Sequence, residues 1–118
     1  MENEIVGKMY AKDKFSQWLG IQVLKASAGL CKLKMYVREE MCNGFGVAHG
    51  GITYSLADSA LAFASNANGR VSMSIETSIS HLLKVEVGDE LTAEVKEIHL
   101  NHKLGVYSIE VVNQKGLR

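Results

Sequence analysis

The order of polar and apolar residues divides the first third of the chain into a helical segment and two extended ones. Apolar residues at helical spacing predict a short amphipathic helix over residues 8–19, which Gly20 ends. Residues 21–25 and 31–37 then alternate between apolar and polar side chains. Each of these alternating segments predicts a strand that buries one face and exposes the other.

The remainder of the chain changes period twice. Residues 52–65 are rich in alanine and leucine and contain neither proline nor glycine, which predicts the strongest helix in the sequence. After it the period becomes two, and residues 71–80, 91–96 and 107–112 each predict a strand. Three consecutive strands with short connections predict an antiparallel meander. One long helix against such a sheet is an α+β architecture.

Length and composition limit the kind of protein that this can be. The 118 residues, 12.9 kDa in mass, predict one domain spanning residues 1–118. Thirteen basic and thirteen acidic residues cancel, so the overall field that favours nucleic acid or an anionic membrane is missing, and self-association is expected. No apolar run is long enough for a membrane span. Two cysteines are typical of a reducing cytoplasm, which is the predicted location.

The sequence after the last predicted strand resembles a turn. Residues 113–116 read Asn-Gln-Lys-Gly, a composition typical of hairpin turns. A returning strand is therefore expected next, and its absence would leave the strand over residues 106–112 with an unpaired edge. We expect a chain extended by that strand to be more stable than the present 118 residues.

Asp58 is the polar residue that most needs an explanation. It interrupts a run of alanine and leucine within the predicted long helix. At about 100° per residue, Tyr54, Asp58 and Ser65 share one narrow stripe of the helix surface. The stripe either simply faces water, or it holds a carboxylate in a partly dry cleft as a base or nucleophile.

A glycine-rich loop leads into the same helix through His49, Gly50 and Gly51. A helix N-terminus presents unpaired N–H groups, and glycine allows another molecule to approach them closely, so this place could bind an oxyanion. A tight loop-to-helix entry is the common structural meaning of paired glycines. For His49, a structural hydrogen bond is a better interpretation than metal ligation, because no zinc-ligand spacing is present. The G-x-S-x-G of serine hydrolases is also missing.

Taken together, these motifs resemble a known family. Asn43, the run Ala48-His49-Gly50-Gly51 and the later Leu56-Ala57-Asp58 are similar to the signature of the phenylacetic-acid-degradation (PaaI-type) hotdog-fold thioesterases. The resemblance extends to residues 15–21, 88–93 and 105–110 and so covers nearly the whole chain. It implies an antiparallel sheet wrapped around one long central helix, homodimers that often pair into tetramers, and hydrolysis of acyl-coenzyme A thioesters.

The resemblance also implies a role for each matched residue. Asp58 would be the catalytic carboxylate, the Gly50 N–H would polarise the thioester carbonyl, and Asn43 and His49 would shape the opposite wall. Gly51, Tyr54 and Ser74 are expected to contact substrate, Ser74 as the counterpart of a water-positioning serine in some relatives. No metal and no separate cofactor is implied, because coenzyme A is part of the substrate.

A distance argument bears on how such a site would be assembled. Gly50 and Asp58 are eight residues apart, which is about 12 Å along a helix axis. Reacting atoms approach to roughly 3–3.5 Å, so one thioester carbon cannot lie beside both residues of one chain. If both act on one substrate, they come from two subunits related by a two-fold axis. The alternatives to a thioesterase are a non-catalytic acyl-CoA or acyl-ligand binding protein and a hotdog dehydratase.

Overall fold

A computed structural model describes residues 3–117, and these form one antiparallel sheet of four strands with a long helix packed against it. The helices are α1 (Glu4–Lys12), α2 (Lys14–Leu19) and α3 (Gly50–Asn66), the strands are β1 (Gln22–Ser27), β2 (Leu30–Tyr36), β3 (Glu90–Leu100) and β4 (Gly105–Val112), and a single 3₁₀ turn covers Glu39–Met41. The sheet order is β1-β2-β3-β4, with antiparallel pairing throughout. The predicted α+β architecture is therefore confirmed.

The core lies between α3 and the inner face of the sheet. Residues of β2 and β3 that face each other across the ladder alternate in burial, so the pairs Leu33–Ala93 and Met35–Leu91 are all buried. Helix α3 contributes buried residues three or four positions apart to the same layer, among them Leu56, Ala60 and Phe63. Buried residues recur at every second position in the strands and about every 3.6 positions in the helix. Both sets face the same space, so they form one continuous apolar layer.

The predicted N-terminal helix is divided into two. Asp13 interrupts it, because its backbone at φ −90° and ψ 86° is not helical, and its carboxylate accepts a hydrogen bond from the Ser16 N–H at 2.9 Å. Such a cap starts a new helix. The Ser16 hydroxyl also hydrogen-bonds the Ser59 hydroxyl at 2.7 Å, which attaches α2 to the buried side of α3.

The predicted strand over residues 71–80 is wrong for the single chain. The segment is extended, but residues 73–84 make no backbone–backbone hydrogen bond to any described residue. The physical reason is that β3 already has β2 on one edge and β4 on the other, and β2 is joined to β3 through α3, so only the β3–β4 hairpin of the predicted meander is present. The apolar residues of the segment are consequently open to solvent: Val71, Met73 and Ile75 are 92%, 87% and 84% exposed.

A groove separates this extended segment from β4, whose outer side is an edge of the sheet. Beyond β4 the predicted turn is present, because Asn113 accepts from the Gly116 N–H and donates to the Leu117 carbonyl at 2.9 and 2.8 Å. The further strand lies outside the described residues and stays a prediction. Over residues 3–117, no helix has the length and hydropathy of a membrane span.

Candidate active site

The loop before α3 is fixed by its own hydrogen bonds. The Asn43 side-chain oxygen accepts from the Phe45 N–H at 2.9 Å, and the Asn43 N–H donates to the Val47 carbonyl at 2.8 Å. The Ala48 N–H then donates to the Val85 carbonyl at 2.7 Å, which joins the loop to the chain that leads into β3. Asn43 therefore shapes the loop that delivers His49 to the start of α3.

The first turn of α3 presents free backbone donors. The N–H groups of Gly50 and Gly51 have no hydrogen-bond partner among residues 3–117, whereas the Ile52 N–H donates to the His49 carbonyl at 2.9 Å. Unpaired donors at a helix N-terminus, together with the helix dipole, attract a negatively charged oxygen. His49 is the N-cap residue, but its imidazole makes no capping hydrogen bond and is exposed. The structural hydrogen bond favoured for that side chain is thus not formed with the part of the chain that the structure describes.

Asp58 faces the groove rather than the core. Its side chain is exposed, has no hydrogen-bond or ion-pair partner among the described residues, and borders two adjoining cavities of about 480 and 560 Å³. Tyr54 lines the first cavity, and Ser65 and Ser74 line the second. The predicted stripe on α3 is therefore the floor of a groove, and Ser74 lies on its wall.

A hydrogen bond between the Tyr54 hydroxyl and the Thr77 hydroxyl fastens the extended segment to α3 across the first cavity. Tyr107 of β4 closes the far side, and burial, reinforced by the nearby Glu97 carboxylate, raises its pKa. The phenol therefore stays protonated at neutral pH, and its hydroxyl hydrogen-bonds the Glu97 side chain.

The predicted site residues fall into two groups. The structure brings Tyr54, Asp58 and Ser74 together along the groove, and it places Asn43, His49 and the two glycines at the beginning of α3. Because Gly50 and Asp58 both belong to this regular helix, they are about 12 Å apart along its axis. Neither group by itself holds both a carboxylate and a free oxyanion donor.

His81 belongs to this region but is not among the residues predicted from the sequence. Its imidazole lies directly against Gly50: the Cβ that a larger residue would place there would be 3.1 Å from Nε2 and 3.3 Å from Cε1. The same side chain lines the first cavity. Nothing in the local pattern marks this residue, since the contact joins positions 31 residues apart in the chain. Thr77 was missed for the same reason.

Comparison with known proteins assigns the chain to a family. The sequence profile of the thioesterase superfamily matches residues 45–118. The acyl-coenzyme A thioesterase PaaI of Escherichia coli K12 is 37% identical over 107 residues, which cover 91% of this chain and 76% of the relative.

Solved structures of PaaI proteins have the same fold as this chain. The structure of E. coli PaaI superposes with a TM-score of 0.93 at 35% identity, covering 96% of this chain and 82% of that one. A mutant of PaaI from Thermus thermophilus gives 0.85 at 32% identity, covering 89% and 90%.

The arrangement of one long helix packed on an antiparallel sheet is thus shared with the hotdog-fold thioesterases. The chain belongs to the thioesterase superfamily, and within it to the PaaI-type thioester hydrolases. The family and the fold that the sequence motifs suggested are both confirmed.

Proposed function

We propose that the protein hydrolyses an acyl- or aryl-acyl-coenzyme A to the free acid and coenzyme A at a site shared by two subunits. The observation that carries the proposal is the separation on α3 of an unpartnered carboxylate, Asp58, from an unpartnered oxyanion donor, the Gly50 N–H, both judged over residues 3–117. Two antiparallel copies of α3 would bring Gly50 of one subunit to Asp58 of the other, twice. The relative from E. coli is named an acyl-coenzyme A thioesterase, which supports the substrate class.

The chemistry follows from these two groups. Asp58 accepts a proton from water as the water oxygen attacks the thioester carbon, or its carboxylate attacks that carbon directly. Negative charge develops on the carbonyl oxygen and is stabilised by the Gly50 N–H without reorganisation. The carbon–sulfur bond then breaks, and the thiolate of coenzyme A leaves and takes up a proton. In the direct route, water then hydrolyses the anhydride formed with Asp58, which releases the free acid and restores the carboxylate. Tyr54, Gly51 and Ser74 contact the substrate in this scheme, while Asn43 and His49 shape the facing wall.

The dimer in this proposal is formed by the extended segment over residues 71–80. From residue 73 onwards its backbone groups lack backbone partners among the described residues, and the side chains at positions 71, 73 and 75 are large, apolar and more than four-fifths exposed. Pairing with the same segment of a second copy would supply both the hydrogen bonds and the burial. Further pairing of dimers into tetramers belongs to the same proposal, as does a cytoplasmic location, which the free thiols of Cys31 and Cys42 support.

The direct test of the activity is thiol release from a panel of aliphatic and aromatic acyl-coenzyme A thioesters. We expect turnover with at least one member and a loss of at least ~10²-fold in Asp58→Asn, the scale for a positioned base. Asp58 is exposed, so the variant should keep its circular dichroism spectrum and melting temperature. Tight acyl-coenzyme A binding without turnover would favour the alternative, a non-catalytic binding protein.

The dimer is tested separately by analytical ultracentrifugation. Ile75→Glu places a charge on the proposed interface and should shift the protein from dimer towards monomer. Leu24→Glu is the matched control, because Leu24 is a 47% exposed leucine on β1, away from the segment. If both variants dimerise as strongly as the wild-type protein does, residues 71–80 are excluded as the interface.

A further inference from the structure

His81 occupies the space that the glycine at position 50 leaves open. The α carbon of Gly50 carries no side chain, and the imidazole of His81 fills that side, with Nε2 3.1 Å from where a Cβ would be. Gly51 is different, since no other described atom lies within 4 Å of its corresponding position. The two positions therefore differ in their need for glycine. Only at position 50 does the close approach of another side chain require it.

The geometry lets one oxygen atom contact both Gly50 and His81. The backbone nitrogen of Gly50 is about 2.4 Å from its own Cβ position, so it lies no more than about 5.5 Å from Nε2 of His81. Two nitrogen donors each reach an acceptor at about 2.9 Å, so a single oxygen can lie between them. The Gly50 N–H has no partner among residues 3–117, and the His81 imidazole has none there either.

The surroundings fit a ligand rather than a structural contact. His81 lines the cavity of about 480 Å³ together with Tyr54 and Asp58. It lies within residues 73–84, which make no backbone–backbone hydrogen bond to any described residue, so side-chain contacts, the Tyr54–Thr77 hydrogen bond and the packing of His81 against Gly50, set its position relative to α3. A polar group held beside an oxyanion donor at the wall of a cavity is placed to bind the same oxygen.

We propose that the Nε2–H of His81 is a second donor to the thioester carbonyl oxygen, beside the Gly50 N–H. The proposal rests on the function proposed above and adds a catalytic residue to it. Asp58 of the second subunit acts on the carbonyl carbon, while Gly50 and His81 of the first hold the oxygen. The imidazole donates a hydrogen bond throughout and exchanges no proton with the substrate.

The test compares two replacements of similar size. His81→Gln keeps an N–H donor near the position of Nε2, whereas His81→Leu removes it and retains the bulk. We expect His81→Leu to lower kcat by ~10- to 10²-fold with KM changed less than about threefold, and His81→Gln to recover most of the loss. His99→Leu is the matched control, because His99 is exposed on β3 and does not line the cavity of Asp58 and His81. Equal kcat in the leucine and glutamine variants would overturn the donor role.

A second readout does not depend on turnover. A ketone analogue of acyl-coenzyme A, in which a methylene replaces the sulfur, keeps the carbonyl and can be labelled there with ¹³C. Donors to the oxygen move the ¹³C resonance downfield on binding, and the movement should shrink in His81→Leu and persist in His81→Gln. If wild type binds the analogue with this pattern but releases no thiol, the hydrolase proposal fails and His81 remains a donor. An unchanged resonance in His81→Leu would refute the donor assignment whatever the activity.

Discussion

The two faces of helix α3 lie in different surroundings. One face packs on the sheet, and Leu56, Ala60 and Phe63 have at most 1% of their surface exposed. The opposite face borders a groove, where Asp58 is exposed and the facing segment over residues 71–80 is open to solvent along its whole length. The packed face is covered by other parts of the same chain. The groove face presents a carboxylate without a partner among residues 3–117 and an extended segment whose residues 73–80 make no backbone–backbone hydrogen bond within that range.

The packed face of α3 carries residues that stabilise the fold, whereas the groove face carries the residues proposed for the activity. Apolar burial stabilises by roughly 25 cal/mol per Å² and does not depend on one orientation of each side chain. A site for hydrolysis needs a few polar groups held without internal partners, which costs stability in the free protein. The groove face is therefore where a second subunit and a substrate are expected, and the following predictions test that division.

The largest expected effect is on folding. Phe63→Ala empties a site that is 1% exposed and packed near the Tyr10 ring, so we expect the free energy of unfolding to fall by ~3–5 kcal/mol. Phe45→Ala makes the same chemical change in the loop before α3, where the ring is 93% exposed, and should change it by less than ~0.5 kcal/mol. Urea unfolding of both variants measures the contrast, and similar midpoints would refute the assignment of the core.

The next effect concerns the proposed sharing of the site between two subunits. Asp58→Asn and Gly50→Val should each be nearly inactive, since each removes one half of both sites in a dimer. After unfolding and refolding together in equal amounts, half of the dimers are mixed and one of their two sites is intact, so about one quarter of wild-type turnover should return. Activity that stays at the level of the parents after mixing would show that both residues act within one chain.

A smaller effect distinguishes the two glycines. Gly50→Ala should lower kcat by ~10-fold, because its methyl group meets the His81 ring and displaces the donors around the oxygen. Its effect on the affinity for a non-hydrolysable acyl-coenzyme A analogue should be smaller. In a His81→Ala background the same substitution should cost less, since the ring it meets is gone. Additive effects of the two changes on kcat would mean that the ring and the glycine do not interact.

The smallest effect concerns the two cysteines, which differ in burial. Cys31 is fully buried, and burial raises the pKa of its thiol from 9.0 to about 12, while Cys42 is partly exposed. A thiol reagent should therefore modify Cys42 in the native protein and Cys31 only after unfolding. Because the folded form holds the Cys31 proton more tightly, this group leaves stability unchanged below about pH 9 and lowers it as the pH rises towards 12. Mass spectrometry of the labelled peptides measures the first expectation and alkaline unfolding the second.

Elements whose buried positions repeat along the chain can be predicted from the residues alone. The alternation over residues 31–37 and 91–96 predicted the buried faces of β2 and β3, and the alanine-rich run predicted α3. Burial of one face of an element places apolar residues at a regular spacing, which is visible in the sequence. The motif around His49 and Asp58 also identified the family. The division of the N-terminal helix by the Asp13 cap was not predicted, because a cap is signalled by a single residue and not by a repeating pattern.

The residues that lie across the groove from α3 depend on how the whole chain folds. Residues 71–80 have the pattern of a strand, but a pattern specifies a face and not a partner, and both edges of β3 were already occupied by β2 and β4. The approach of His81 to Gly50 likewise depends on how the extended segment folds back over α3. Periodicity records which side of an element is buried. The pairing of edges and the meeting of distant polar groups are set by the path of the whole chain, because no residue in the local sequence encodes its distance to another element.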